Sequence, residues 1–451
     1  MACKSTKKLL LSLSVAAALG LGTGNVFADG DNVEELEARI AELEALVHQL
    51  LNKPAPTTGP SAQEIEAQAE AVAEKKVSEM MAEHQAEEAE KTHKHSYKFG
   101  GYIKLDAIAS RYTGGSVGSG SIGRDFYIAA TVPVGINGES YFDMHAKESR
   151  INFKSTHNLD NGAKMSTFIE FDFLAGNQGD ERISNSYSPR LRHAFFTYNN
   201  WLVGQTWMTF FNVGALPENL DFVGPAESTV FGRQAMVRYT MGNWQFAAEN
   251  PETTITPNGG GGRIVADDSH IPDLVVRYNM NRDWGNFTVA GIARELRYQN
   301  AAAGIDSNEG SYGISVSGKF KIGDRNDFRW MATTGKGLGR YLGLNTANGA
   351  VLNSEGELEA IDSTGIFGSY RHFWSDQWRS NLTLGYLKVD NDVELTGSGV
   401  TRDAKSFHIN LIYSPVPKMD FGIEYMLANR KVESGADGDL HRVQLSGKYA
   451  F

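Results

Sequence analysis

The chain has 451 residues, 48 of them Gly and one Cys, with a formal net charge of −11. That length accommodates two or three ordinary domains or one large barrel, and the Gly share points to turn-rich β structure. Beyond about residue 30 no stretch is apolar for the eighteen or so positions a membrane helix needs, which argues against helical spans but leaves a barrel open, because half of each barrel strand is polar.

Residues 1–28 read as a signal peptide: Lys4, Lys7 and Lys8, an apolar run from Leu9 to Gly22, and small residues in Val26-Phe27-Ala28 before Asp29. The run is too short for a membrane anchor. Cys3 leaves with the signal, so the mature chain has no disulfide and no thiolate site. No cofactor and no metal are expected.

Residues 29–52 carry a heptad seam, Val33, Leu36, Ile40, Leu43, Val47 and Leu50, and read as a coiled-coil helix. β-branched residues at a with Leu at d suit two strands, whereas Leu46 and Leu51 widen the stripe towards a trimer; an amphipathic helix packed on a core is the alternative. A Pro-rich linker follows at 53–60. Residues 61–96 form a second acidic helix and linker, opened by a capping box from Ser61 to Glu64. Asp29–Ser96 holds 16 acids against 6 bases, while 97–451 holds 38 against 34, so the acidity belongs to the tail. His93 and His95, without carboxylate or cysteine company, read as linker rather than a metal site.

From 97 to 451 the pattern is β throughout. Segments of period two are separated by seven short turns and eight long loops in alternation, which predicts sixteen strands with both chain ends on the short-turn side. The strands are expected near 97–111, 143–157, 163–173, 190–198, 201–210, 233–240, 244–249, 273–280, 284–297, 311–322, 327–335, 363–372, 378–389, 405–413, 419–427 and 440–451. Segment 124–134 is itself β-like and is assigned to the first long loop; placed in the wall, it would break the count. Aromatics recur beside the short turns, among them Tyr198, Trp201, Trp244, Trp284, Phe328, Trp374 and Trp378, as a membrane-interface girdle requires. The fold expected is an all-β transmembrane barrel of 16 antiparallel strands preceded by an α-helical coiled-coil periplasmic tail.

The polar face collects Lys104, Arg150, Lys154, Arg190, Arg192, Arg238, Arg277, Arg294, Lys319, Arg371 and Arg442, against Asp106, Glu170, Asp172 and Glu424. A charge at mid-depth in lipid costs about 2–4 kcal/mol, so these side chains must point to a lumen. There they favour anions, and Arg grips carboxylates bidentately; bracing of the barrel by ion pairs is the competing role. The long loop Phe211–Gly232 carries Glu218, Asp221 and Glu227 and is expected to fold inward as a constriction loop, setting acids opposite wall arginines.

Phe-Gly-Gly-Tyr-Ile-Lys-Leu-Asp-Ala at 99–107, Ser-Arg-Ile-Asn-Phe-Lys at 149–154, Leu-Arg-His-Ala-Phe-Phe-Thr-Tyr at 191–198 and Gly-Gln-Thr-Trp at 204–207, with a cleaved signal and a coiled-coil tail, resemble the DcaP-like trimeric outer-membrane porins. The resemblance implies a homotrimer in the Gram-negative outer membrane, a periplasmic N-terminal extension, and passive uptake of small anionic solutes, dicarboxylates included. It carries over Lys104, Asp106, Arg150, Lys154 and Arg192 as pore residues, and Phe451 as the terminal signal read by barrel-assembly machinery. Outer-membrane lipid and lipopolysaccharide are expected partners, nucleic acid is not, and peptidoglycan or a periplasmic protein is a candidate for the tail. No nucleophile motif such as Gly-x-Ser-x-Gly is present, so an enzyme is not expected. The second reading is a structural protein whose tail links the membrane to the cell wall.

Overall fold

The computed structural model describes residues 94–175 and 179–451. The signal peptide, the coiled-coil seam, the Pro-rich linker and the second helix lie outside the described residues.

Sixteen antiparallel staves form the wall. The first half comprises β1 (His95–Tyr112), β2 (Ser140–His145 continued by Arg150–Asn158), β3 (Lys164–Asp172), β4 (Arg190–Tyr198), β5 (Trp201–Trp207), β6 (Arg233–Met241), β7 (Trp244–Glu249) and β8 (Asp273–Arg282). The second comprises β9 (Gly285–Asn300), β10 (Ile305–Ile322), β11 (Asn326–Lys336), β12 (Asp362–Phe373), β13 (Trp378–Asp390), β14 (Thr401–Tyr413), β15 (Met419–Val432) and β16 (Asp437–Ala450). Both pieces of β2 pair with β1, so Ala146–Ser149 is a break within one stave rather than a loop between two. β16 pairs with β1 from Tyr102↔Ala450 to Tyr112↔Leu440, which closes the barrel and removes the free edges a bilayer does not tolerate.

The period of two decides the faces. Along β13 Leu384 is 57% exposed while its neighbour Thr383 is fully buried, so the apolar series points out and the polar series in. Tyr97, Phe99, Ile103 and Leu105 on β1 and Val443, Leu445 and Tyr449 on β16 continue the outer band, and Phe451 stacks on Phe99 at 6.0 Å between ring centroids. The short turns use residues that accept a positive φ, such as Asn199 at 49° between β4 and β5.

Segment 124–134 lies outside the wall, in a short helix (Ile122–Asp125) and a 3₁₀ turn (Ala129–Thr131), and the count of sixteen stands. Several staves run further than the alternation indicates. β9 and β10 meet across residues 301–304, and β15 and β16 across 433–436, where longer loops are expected. Above the lipid band both faces of a strand are polar, so the periodic signal ends while the hydrogen-bond ladder goes on. Two long loops add a small sheet of their own: Ile264–Ala266, Thr253–Thr256, Ala350–Leu352 and Leu358–Ala360.

Candidate pore constriction

The segment between β5 and β6, residues 208–232, turns into the barrel. Its aromatic residues require burial: Phe210, Phe211 and Phe231 join Met331, Leu338 and Tyr341 in an apolar cluster inside the wall. Its tip is held through the backbone. Glu424 on β15 accepts from Leu220 N at 2.8 Å, Asp221 N at 3.3 Å and Asn219 Nδ2 at 3.0 Å. The Leu220 carbonyl accepts from Lys104 Nζ at 2.9 Å and Gln444 Nε2 at 3.0 Å. Buried backbone groups need partners, and here the wall supplies them in place of a regular ladder.

The three loop acids end in different surroundings. Glu218 takes Arg379 at 2.6 and 3.0 Å and Arg371 at 3.0 Å. Burial raises its pKa, but the hydrogen bonds and charges of Arg379 and Arg371 outweigh that and hold it below the ordinary carboxylate value. Asp221 accepts from Tyr127 N at 2.8 Å and lies 3.7 Å from Arg442 Nη1. Glu227 accepts from Ser406 Oγ at 2.8 Å, and burial pushes its pKa up. Glu218 therefore touches wall arginines directly rather than facing them across open lumen. Against Arg371 and Arg379 the wall also sets Asp327 and Asp420, so this side is closely neutralised.

The side formed by β2, β4 and β6 differs. Arg192, fully buried, binds Glu170 at 2.7 Å and Asp172 at 2.6 Å, and Arg190 binds Asp172 through two bonds of 2.8 and 2.7 Å. Arg150 comes no nearer to Glu170 than 3.9 Å. Phe222 of the loop tip lies 5.6 to 5.9 Å from the guanidiniums of Arg150, Arg190 and Arg192, and Arg233 sits 4.5 Å from the Trp207 ring. Four arginines thus gather here, and Glu170 and Asp172 bond to Arg190 and Arg192. Arg150 Nε, Arg192 Nη2 and Arg233 Nη1 are buried without a hydrogen-bond acceptor among the described residues. A register shift where β3 meets β4 at Glu170 and Phe171 accompanies this density, with both Arg192 and His193 withdrawn from the outer face.

The remaining sequence-predicted residues are distributed along the wall. Lys104 and Asp106 lie 3.3 Å apart beside Glu148, which accepts from Lys104 at 2.7 Å. Arg442 binds Ser110, Tyr112 and the Gly123 carbonyl. Arg277 binds the Phe211 carbonyl at 2.6 Å, and Arg238 that of Trp207 at 3.3 Å. Arg294 is placed against Asp273, 3.0 Å away, and against loop carbonyls. Lys154 stands opposite Lys98 and Lys319 opposite Arg329, away from the cluster. Between loop tip and wall a cleft of about 190 Å³ is lined by Tyr102, Lys104, Arg150, Phe222, Arg379 and Lys448 among others.

Sequence reasoning passed over Arg379, Asp327, Asp420, Glu148, Arg233 and Phe222. Arg379 was accessible, since it continues the inward series Thr383, Asn381 by one step. Glu148 sits in the break of β2 and Phe222 in the inward segment, where period two gives no signal, while Arg233 opens β6 out of step with the inward series Gln234, Met236 and Arg238.

Residues 74–451 match the family model described as DcaP outer membrane protein. No curated protein matches the chain. Among solved structures, the outer membrane channel DcaP of Acinetobacter baumannii is similar at 22% identity and a TM-score of 0.66, over 80% of this chain and 98% of that one. OmpT of Vibrio cholerae in its trimer form is 10% identical with a TM-score of 0.48, over 79% and 100% of the two chains. Salmonella typhi OmpF in complex with daunomycin is 11% identical with a TM-score of 0.48, over 79% and 97%.

Proposed function

From the premise that the chain belongs to the DcaP outer membrane protein family and resides in the outer membrane, we propose that it is a porin for passive diffusion of small hydrophilic solutes, anions above all. The observation that carries this reading is the basic cluster on the β2, β4 and β6 side, where Arg150, Arg190, Arg192 and Arg233 gather around Phe222 and Trp207, Glu170 and Asp172 bind Arg190 and Arg192, and guanidinium donors of Arg150, Arg192 and Arg233 keep no acceptor among the described residues. Buried guanidinium donors left without acceptors favour a solute that brings its own carboxylate oxygens, and a planar Arg fork meets a carboxylate bidentately. Dicarboxylates are the anions assigned to this path, with Arg150 as the base that the cluster and the adjoining cleft share; Lys104, Arg379 and Lys448 of that cleft are already paired with Glu148, Glu218 and Asp420. Residues 211–232 act as the constriction loop in this reading.

The working unit is a homotrimer whose N-terminal tail extends into the periplasm, with Phe451 as the assembly signal. The expected result in planar bilayers under a salt gradient is a reversal potential favouring anions, smaller in Arg150→Ala and Arg192→Ala. A cation-selective wild-type channel overturns the proposal. Asp172→Asn separates selectivity from bracing. It removes the carboxylate shared by Arg190 and Arg192, so anion selectivity is expected to rise while stability falls by about 3–5 kcal/mol, as for a broken buried pair. Deleting 33–91 tests the structural alternative: loss of envelope integrity with solute uptake intact favours a tether.

A further inference from the structure

At the short-turn end of the β1–β2 seam, His95 and His157 stand directly opposite in register, and their Nδ1 atoms are 2.8 Å apart. His157 Nε2 lies 3.1 Å from Ser155 Oγ, which lies 2.7 Å from Thr167 Oγ1. With the Ser155 hydroxyl donating to Thr167, its lone pairs receive Nε2–H of His157, and the tautomer so selected leaves a bare lone pair on Nδ1. This is the arrangement by which metal-binding histidines are held, the far nitrogen hydrogen-bonded and the near one free. The lone pair is aimed at the other imidazole, and two ring nitrogens this close need a proton or a cation between them. Nearby, Lys94 pairs with Asp160 at 3.3 Å and Tyr97 sets its edge against the His157 ring.

We propose that His95 and His157 form a chelating site for a divalent transition-metal ion, Cu²⁺ or Ni²⁺ in preference to Zn²⁺. Cis ligands at about 2.0 Å from an ion are about 2.9 Å apart in a square or octahedral shell and about 3.3 Å in a tetrahedral one, and 2.8 Å fits the former. The rings are tilted by 57°, and turning each about its soft terminal torsion, by about 45° from the line joining the nitrogens, directs both lone pairs to one ion. His95 is exposed and His157 half-buried, so an ion has access. Among the described residues no group of three His, Cys, Asp or Glu converges, and water completes the shell. The bound ion staples the first residue of β1 to β2. The second ligand comes from across the sheet, 62 residues away, so spacing along the chain gives no sign of the pair.

Tag-free full-length protein in detergent, titrated with Cu²⁺ by calorimetry and followed by electron paramagnetic resonance, tests the site. One Cu²⁺ per chain is expected, with hyperfine splitting from two nitrogens. Affinity is expected to fall about a hundredfold in His95→Ala and in His157→Ala, since chelation makes the second contact intramolecular. Ser155→Ala weakens it about tenfold through the lost orienting bond. Equal affinity in wild type and the His95→Ala/His157→Ala double variant overturns the proposal, as does coupling to a single nitrogen. Heat-modifiable gel mobility shows that each variant is folded.

Discussion

Glu424→Ala is expected to raise single-channel conductance by roughly twofold or more, because three hydrogen bonds from the tip of the inward loop converge on that carboxylate. It receives three hydrogen bonds from Asn219, Leu220 and Asp221 and two more from Asn410 and His408 on its neighbour strand. Bonds to a charged group contribute about 1.5–3 kcal/mol each, so the loop tip loses the larger part of its attachment on that side. Lys104 and Gln444 still reach the Leu220 carbonyl, which limits the displacement. Glu424→Gln keeps one acceptor oxygen and is expected to fall between the two. Bilayer recordings decide the matter: unchanged conductance in a folded Glu424→Ala protein means that other contacts seat the loop.

The second large effect concerns the faces of the wall. Leu384→Arg puts a guanidinium into the lipid-facing band and is expected to destabilise the barrel by about 2–4 kcal/mol. Thr383→Arg, one residue earlier, directs the same group to the interior. Because Thr383 is fully buried beneath Asn219, that variant should disturb conductance through the loop rather than insertion into the bilayer. Reversible unfolding in liposomes measures the first and bilayer recording the second. Equal destabilisation by both would remove the basis for assigning these faces.

Much of the wall is legible because lipid imposes a rule that each strand obeys by itself. Tyr312, Ile314 and Phe320 on β10, and Leu382, Leu384 and Tyr386 on β13, alternate with polar residues, and all six are exposed on the outer surface. The inward bases follow from the same rule, since a charge on the other face is costly. Where both faces are polar, as beyond Arg297 on β9 or before Ser311 on β10, the rule says nothing, although the strands pair there from Asn300↔Ile305 onward.

The site is different in kind. Glu424 and Leu220 are 204 residues apart, and Arg371 and Glu218 153 apart. Their meeting depends on barrel closure and on how a loop with several aromatic residues finds buried space. The sequence indicated which loop turns inward, through Glu218, Asp221 and Glu227, but not that Glu218 pairs directly with Arg371 and Arg379.

By itself, the sequence determined the sixteen staves and the faces they present, because these follow from local periodicity against lipid. The tertiary structure decided which bases are neutralised and which keep spare donors, what holds the loop tip, and that His157 stands against His95. Those outcomes depend on contacts between residues far apart in the chain, where Coulomb and hydrogen-bond energies vary steeply with distance and no periodic pattern records the partner.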